Sequence, residues 1–225
     1  MSDMSLDETA MNANVVLEDE ADELAQTEHP KLHLGCFDQP LDGWINTDIT
    51  PHIWVSRIPF AAKFLYSVGM MSSKRLEQHQ AGIFRQIKYL NLSKKFAYPS
   101  NSLAAIFTSH VLEHLYPPVA LRCCGECLRV LRPNGVLRIA VPDLDRMVRG
   151  YDAADPESFL QEMLQYGVGA DKNSHHWHYN YTNLSSHLLK LGFSRVTRCD
   201  YRIGRCPDVD RIDSRPESLF VEAFK

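Results

Sequence analysis

The chain has 225 residues, of which 44% are hydrophobic and 23% are charged, a balance typical of a globular domain with a substantial core. The six cysteines are few for this length and form no disulfide framework. No apolar run approaches the ~20 residues of a membrane span, and the N-terminal pattern is not that of a secretory signal, so we expect a cytoplasmic protein without membrane spans.

Charge is distributed unevenly along the chain. Residues 1–30 hold nine acidic residues and no Lys or Arg, so the remainder carries 24 basic and 28 − 9 = 19 acidic residues, a formal net charge of +5. We predict that residues 1–30 form a disordered acidic tail and that residues 31–225 form the folded domain. A partner-binding or self-masking tail is the alternative. The small basic surplus is spread along the chain and does not favour nucleic-acid binding.

Seven short apolar segments have the length and composition of strands, in chain order residues 31–35, 43–48, 87–92, 103–108, 136–141, 193–198 and 218–224. Residues 117–131 have helical periodicity, with an apolar stripe and a stop at the Arg-Pro-Asn-Gly sequence of residues 132–135. Residues 183–191, followed by Gly192, form a second predicted helix. Strands that alternate with helices predict a mostly parallel sheet covered on both faces.

Two segments depart from this alternation. Only 12 residues lie between Gly35 and Asp48, which leaves little room for a helix in the first crossover. Residues 51–86 form a long insertion that is rich in apolar residues and predicted to be helical in part. It is either a layer packed on the sheet or a lid over a substrate, since long ordered insertions often serve binding sites.

Small or polar residues stand where several predicted strands end: Gly35, Asp48, Asn91, and the pair Ser109 and His110. Ligands of open α/β sheets bind beyond the carboxyl ends of the strands. A glycine there lets the backbone approach a ligand, an acid can bind ribose hydroxyls, and a polar residue can meet the edge of an adenine. Asp48 is alternatively an ordinary turn residue.

Five motifs carry a resemblance to a known family: residues 32–36 (LHLGC), 43–49 (GWINTDI), 109–115 (SHVLEHL), 128–135 (LRVLRPNG) and 141–144 (VPDL). In this order they resemble bacterial class I S-adenosylmethionine-dependent methyltransferases, of the type 11-like kind, which often serve the biosynthesis of surface polysaccharides. The resemblance covers nearly all of residues 31–225.

The resemblance implies a Rossmann-like three-layer α/β sandwich, whose seven-stranded, mostly parallel sheet ends in an antiparallel strand. It also implies S-adenosylmethionine as cofactor, with binding residues Gly35, Cys36, Asp48, Ile49, Asn91, Leu92 and Ser109. Two positions depart from the family pattern. Phe37 stands where the glycine-rich turn has its second glycine, and Asn91 stands where Asp is frequent, although its carbonyl can still accept from an adenine amino group.

Two histidine clusters are candidates for binding or deprotonating the acceptor. His110, Glu113 and His114 form an H-x-x-E-H sequence, and a second cluster occupies residues 175–178. Ubiquinone-pathway and small-RNA methyltransferases bind a divalent metal with an E-x-x-E-H sequence and a later histidine, which implies the metal ligands His110, Glu113, His114 and His175. A metal-free alternative has His110 as general base with His176 beside it, and a third has purely structural histidines. H-x-x-E-H is also a metalloprotease pattern, but its place directly after a strand argues against that function.

We therefore expect an enzyme that methylates a sugar hydroxyl of a glycan or glycan precursor. The alternatives are methylation of a small natural product and a non-catalytic methyltransferase-like binding domain, which is supported by Phe37 and the short first crossover. Cys124 and Cys127 are expected to be core thiols because no second C-x-x-C pair follows them. Five arginines of the last connection are either surface charges or grips for an anionic acceptor: Arg198, Arg202, Arg205, Arg211 and Arg215.

Overall fold

The computed structural model describes residues 30–164 and 174–225. The acidic tail predicted for residues 1–30 therefore lies outside the described residues, except for its last residue. The described chain forms one sheet in the order β3-β2-β1-β4-β5-β7-β6. Its strands are β1 (Lys31–Leu34), β2 (Ile45–Asp48), β3 (Lys88–Tyr89), β4 (Leu103–Ser109), β5 (Leu131–Pro142), β6 (Arg195–Cys199) and β7 (Ser218–Phe224).

Strands β1 to β5 pair in parallel, whereas β7 runs antiparallel to both β5 and β6. This confirms the predicted mostly parallel sheet with an antiparallel last strand. β4 and β5 lie at its centre, and six of the seven residues of β4 are buried. That explains why the central strands have continuous apolar sequences rather than alternating ones.

The helices are α1 (His52–Val55), α2 (Ala61–Ser67), α3 (Ser73–Gln80), α4 (Pro117–Val130), α5 (Leu144–Arg149), α6 (Pro156–Leu164), α7 (Tyr181–Leu191) and α8 (Val209–Ile212), with 3-10 helices at Ile83–Gln86 and Leu112–His114. Within the described residues, no helix is both long and apolar enough to cross a membrane. The two helices predicted from periodicity are confirmed as α4 and α7. Pro117 opens α4, where a missing N–H is harmless, and Gly192 ends α7 in the left-handed conformation.

The two faces of the sheet are covered differently. Helices α4 and α7 pack on one face and form the main core with residues such as Ile106, Ile139 and Val221. The other face is covered by irregular connections and the short helix α8, which pack around Trp44 and Phe107. The third layer of the predicted sandwich is therefore thin on this side.

A buried arginine anchors the thin layer to the sheet. Arg138 of β5 is fully buried and donates hydrogen bonds to the carboxylates of Asp213 and Glu222. It also donates to the carbonyl oxygens of Asp200 and Ile203 in the last connection. A buried charge needs such complete pairing, because a guanidinium without partners in the core carries a penalty of several kcal/mol.

Several predicted boundaries differ from the structure, and three of these differences have an identifiable cause. β5 begins at Leu131, so residues 132–135 lie inside a strand rather than before it; Asn134 is left-handed, and the pairing register shifts opposite them. β3 has two residues rather than six, because the Asn91 side chain closes a turn with Ser93. β6 begins at Arg195 instead of residue 193, since Phe193 is buried in the core beneath α4 and α7.

The insertion at residues 51–86 is helical in part, as predicted, and its helices differ in burial. Ile53 of α1 and Phe84 of the adjacent 3-10 helix form a small core with Cys36 and Ile87. Helix α2, in contrast, has no buried residue. The insertion is thus a packed layer in one part and an exposed helix in another, and its role as a lid stays a prediction.

Candidate active site

The strand order reverses at β1, which has β2 on one side and β4 on the other. The carboxyl ends of these strands carry Gly35, Asp48 and Ser109, and such a reversal is where open α/β sheets bind their ligands. The first crossover contains no helix in the described chain, in keeping with its short sequence. The cofactor residues predicted from strand ends thus lie along one edge of the sheet.

The turn after β1 depends on two left-handed residues, Gly35 with φ +67° and Phe37 with φ +45°. A Cβ at Gly35 would lie 2.5 Å from Val111 Cγ2, so only glycine fits there. Phe37 adopts the conformation that the missing second glycine would favour, at a cost of roughly 1–2 kcal/mol for an L-residue. The guanidinium of Arg75, 4.4 Å from the Phe37 ring centre, offsets part of this strain. The departure at Phe37 therefore preserves the shape of the turn.

The carboxylate of Asp48 joins the ends of β1 and β2. Its Oδ2 accepts from the main-chain N–H of Phe37 at 2.9 Å, and its Oδ1 accepts from the N–H of Thr50 at 2.7 Å. Each carboxylate oxygen has a second lone pair, so Asp48 can close the turn and still accept from a ribose hydroxyl. Ile49, which follows it, is 61% exposed and offers an apolar surface beside the carboxylate.

The other predicted cofactor residues are less open. Asn91 Oδ1 already accepts from the N–H and the hydroxyl of Ser93, so an adenine amino group would have to displace Ser93. Leu92 packs partly buried against the main core. The thiol of Cys36 is buried, and this burial raises its pKa to about 12, so only the backbone of Cys36 is suited to contact a ligand. Ser109 is half-buried at the end of β4.

His110 follows β4 directly and is held in a left-handed conformation, with φ +52°. A backbone of this kind is rare outside glycine and is found at functional sites where the surroundings enforce it. Its Nε2 lies 2.9 Å from the hydroxyl of Ser218. Its Nδ1 lies 3.2 Å from Oε1 of Glu113 and 3.3 Å from Nη1 of Arg215. Both ring nitrogens of His110 therefore have polar neighbours.

Glu113 lies on the 3-10 helix after His110 and is fully buried, yet neither of its carboxylate oxygens makes a hydrogen bond in the described structure. Candidate ligand atoms of Glu113, His114 and His175 all lie within 4.8 Å of one another. Burial lowers the pKa of His175 to about 4, which keeps its imidazole neutral at physiological pH. This trio has the donors of a small cation site.

The other histidines of the two clusters lie near the trio but are not part of its mutually close ligand atoms. His110 contacts Glu113 but is not part of the mutually close group, which differs from the four-residue metal set predicted from sequence. The main-chain N–H of His176 donates to the carbonyl of Glu113 at 2.7 Å, while its exposed ring stacks on Tyr116. His176 thus supports the Glu113 backbone, and a catalytic role for its ring stays a prediction.

Comparisons with known proteins agree with the fold. A family model described as a methyltransferase domain matches residues 65–139, a range that includes His110, Glu113 and His114. A methyltransferase from Thermotoga maritima, described as a possible histamine N-methyltransferase, has a similar structure, with a TM-score of 0.50, 12% identity and coverage of 96% of both chains. An S-adenosylmethionine-dependent methyltransferase from Archaeoglobus fulgidus also has a TM-score of 0.50, with 13% identity over 92% of this chain and 94% of the other. No curated protein matches in sequence.

The chain has the fold of these S-adenosylmethionine-dependent methyltransferases. The match to the methyltransferase-domain model covers residues 65–139, about a third of the chain.

The contacts of the predicted arginines and cysteines differ from one another. Cys124 and Cys127 are buried in the main core, as the helical stripe predicted. Arg198 pairs with Asp143, and Arg211 with Asp208. Arg215, in contrast, reaches the ring of His110.

The sequence does not identify Ser218 as a neighbour of His110. It also does not distinguish Arg215, which contacts His110, from the other arginines of the last connection. The signal was topological. β7 is antiparallel, so its first residue, Ser218, lies at the edge where the parallel strands end.

Proposed function

We propose that this protein is an S-adenosylmethionine-dependent methyltransferase, which transfers a methyl group to a hydroxyl of a saccharide acceptor, in a glycan or glycan precursor, in the cytoplasm. The observation that carries the proposal is the placement of His110 at the carboxyl end of β4, beside buried Glu113 and within reach of Ser218. Methyl transfer is an in-line displacement, in which the enzyme aligns the acceptor and helps remove its proton. Imidazole is the side chain best suited to take a proton near neutral pH.

The two ends of the crevice have different tasks in this proposal. Gly35, Asp48 and Ile49 hold the cofactor, with the Asp48 carboxylate on the ribose hydroxyls. Glu113 holds the imidazole ring of His110 from its Nδ1 side. Nε2, which contacts the Ser218 hydroxyl, accepts the proton of the attacking hydroxyl when the acceptor takes the place of Ser218.

Arg215 favours an acceptor that carries negative charge. Its guanidinium lies 3.3 Å from the His110 ring, whereas Arg198 and Arg211 pair with carboxylates elsewhere. Guanidinium groups bind carboxylates and phosphates through paired hydrogen bonds. An acidic sugar or a nucleotide-linked sugar therefore fits the site better than a neutral one.

The alternative to proton removal by His110 alone is a divalent transition metal at Glu113, His114 and His175. A fully buried carboxylate without hydrogen bonds is costly unless a cation compensates it. Two imidazoles and one carboxylate suit Zn²⁺, Mn²⁺ or Fe²⁺ better than Mg²⁺. Such a metal would lower the pKa of an acceptor hydroxyl bound to it.

Two measurements test the proposed activity. Calorimetry with S-adenosylhomocysteine tests the cofactor site, and release of that product in the presence of neutral, acidic and nucleotide-linked sugars tests the acceptor class. His110→Ala is expected to abolish turnover while cofactor affinity stays within about twofold. His187→Ala, a histidine of α7 outside the cluster, is the matched control. Cofactor binding without turnover on any hydroxyl acceptor would contradict the proposal.

A further inference from the structure

The insertion presents an unusual concentration of exposed apolar side chains. Seven of the seventeen large hydrophobic residues that are exposed in the described chain lie within residues 54–70. We call them the insertion face: Trp54, Ile58, Phe60, Phe64, Tyr66, Val68 and Met70, which are 47% to 79% exposed. Isolated exposed apolar residues need no explanation, but a concentration of this kind marks an interaction surface.

Backbone geometry adds to this observation. Phe60 stands at the start of α2 in the left-handed conformation, with φ +63°, and its side chain is 79% exposed. The left-handed conformation is unfavourable for a bulky residue, and here no burial of the ring offsets it. Helix α2 itself buries none of its residues. The protein therefore holds an aromatic ring out into solvent at a cost, which a bound partner would repay.

The charge around the face identifies the kind of partner. Residues 49–76 contain no Asp or Glu, although they include Arg57, Lys63, Lys74 and Arg75. The first three are exposed, and among the residues that the structure describes only Arg75 of the four forms an ion pair, with Asp38. Aromatic and aliphatic side chains mixed with Lys and Arg, without acids, are typical of segments that lie in the interface of an anionic membrane.

We propose that the insertion face docks the protein on an anionic lipid surface. The apolar side chains insert between lipid headgroups, and Arg57, Lys63 and Lys74 contact their phosphates. The docking is peripheral and does not depend on the proposed methyl transfer, because no residue of the insertion face is assigned to the cofactor or to proton removal. A protein partner would need complementary shape, whereas a lipid surface adapts to scattered aromatic side chains.

Vesicle sedimentation tests the docking with the full chain. We expect co-sedimentation with vesicles of phosphatidylcholine and phosphatidylglycerol in a ratio of about two to one, and at least tenfold weaker binding to phosphatidylcholine alone. Raising the salt from about 0.05 M to about 0.5 M should weaken the binding, since salt screens exposed charges. Failure to sediment with the anionic vesicles, or equal binding to both kinds, would overturn the proposal.

Matched variants locate the surface. The double variant Phe60→Ser/Phe64→Ser should bind anionic vesicles at least tenfold more weakly, and Lys63→Glu about fivefold or more. Leu189→Ser/Ile203→Ser, which changes two side chains exposed elsewhere, is the control and should bind normally. All these positions are exposed, so thermal melting should report intact folding. If the two pairs have equal effects, the insertion face is not the docking surface. A dimer in light scattering that Phe60→Ser/Phe64→Ser abolishes would show that a second copy covers the face instead.

Discussion

Nδ1 of His110 lies 3.2 Å from Oε1 of Glu113, a carboxylate that has no exposure to solvent and makes no hydrogen bond. This contact connects the two roles that the sequence left open at this edge of the sheet. His110 also contacts Ser218 through Nε2 and Arg215 through Nδ1. Glu113 in turn lies close to His114 and His175. A single change at Glu113 therefore separates the metal from the metal-free alternative.

Glu113→Gln should remove metal binding, because a neutral amide is a poor ligand and does not compensate a divalent charge. Metal content after dialysis, measured by mass spectrometry, should fall from about one ion per chain to a small fraction. Glu162→Gln, an exposed change on α6, is the control and should keep the metal. If the wild-type protein holds no Zn²⁺, Mn²⁺ or Fe²⁺ under the same conditions, the trio is not a metal site. In that case Glu113 acts on His110 alone.

Arg215→Ala should raise the KM for an acidic or nucleotide-linked acceptor by about tenfold or more, the effect of losing a charge-assisted hydrogen bond. The affinity for S-adenosylmethionine should not change, because Arg215 lies at the His110 end of the crevice. Arg211→Ala, whose partner is Asp208, is the matched control for steady-state kinetics. Identical KM values for both variants would show that Arg215 is an ordinary surface charge that does not bind the acceptor.

Asp48→Asn should weaken S-adenosylmethionine binding by about 1.5–3 kcal/mol, since hydrogen bonds to a charged acceptor are worth this much. The amide oxygen can still accept from the N–H of Phe37, but the NH2 group cannot accept from the N–H of Thr50, so thermal melting should accompany the calorimetry and report any loss of stability. Asp42→Asn changes an exposed acid of the same connection and serves as control in calorimetry. Unaltered affinity in Asp48→Asn would mean that the ribose binds elsewhere.

The strain at Phe37 predicts that glycine gives a more stable protein than alanine at this position, the reverse of the usual order. Because its φ is +45°, Phe37→Gly should unfold at higher urea than Phe37→Ala, by about 1 kcal/mol in the free energy of unfolding. At Phe64 in helix α2 the order should be the normal one, with alanine about 1 kcal/mol more stable than glycine. The same order at both positions would show that Phe37 is not strained.

Acid should destabilise the fold through His33. Burial lowers the pKa of this histidine to about 4, although its ring contacts the side chain of Asn46. In the unfolded chain its pKa is about 6.5, so protons bind the unfolded state more strongly. Stability should be constant above pH 6.5 and fall by about 3 kcal/mol as the pH drops from 6.5 to 4.

Urea unfolding at several pH values would measure this loss. His33→Gln should flatten it, while His187→Gln should not. Some acid sensitivity should remain in His33→Gln, because the pKa of His175 is also lowered to about 4. An unchanged pH profile in His33→Gln would show that His33 is not the responsible group.

Much of the scaffold follows from local sequence. β1, β4 and β7 were predicted from apolar runs, and α4 and α7 from their stripes and from Pro117 and Gly192. These signals are local, because burial of a strand or helix face acts on side chains at a fixed spacing. The ends of the strands are therefore also predictable, and the sequence alone assigns Gly35 and Asp48 to one edge of the sheet.

Only the tertiary structure decided how the site is assembled. Arg215 meets His110 across more than a hundred residues, and His175 meets Glu113 across about sixty. Such contacts depend on the order of the strands and on where the last connection crosses the sheet. The left-handed conformation of Phe37 and the hydrogen bond between Ser93 and the side-chain oxygen of Asn91 could likewise not be predicted from the sequence. The sequence by itself determined the elements and the chemistry available at their ends, because both are local, whereas the partners of each side chain depend on long-range packing.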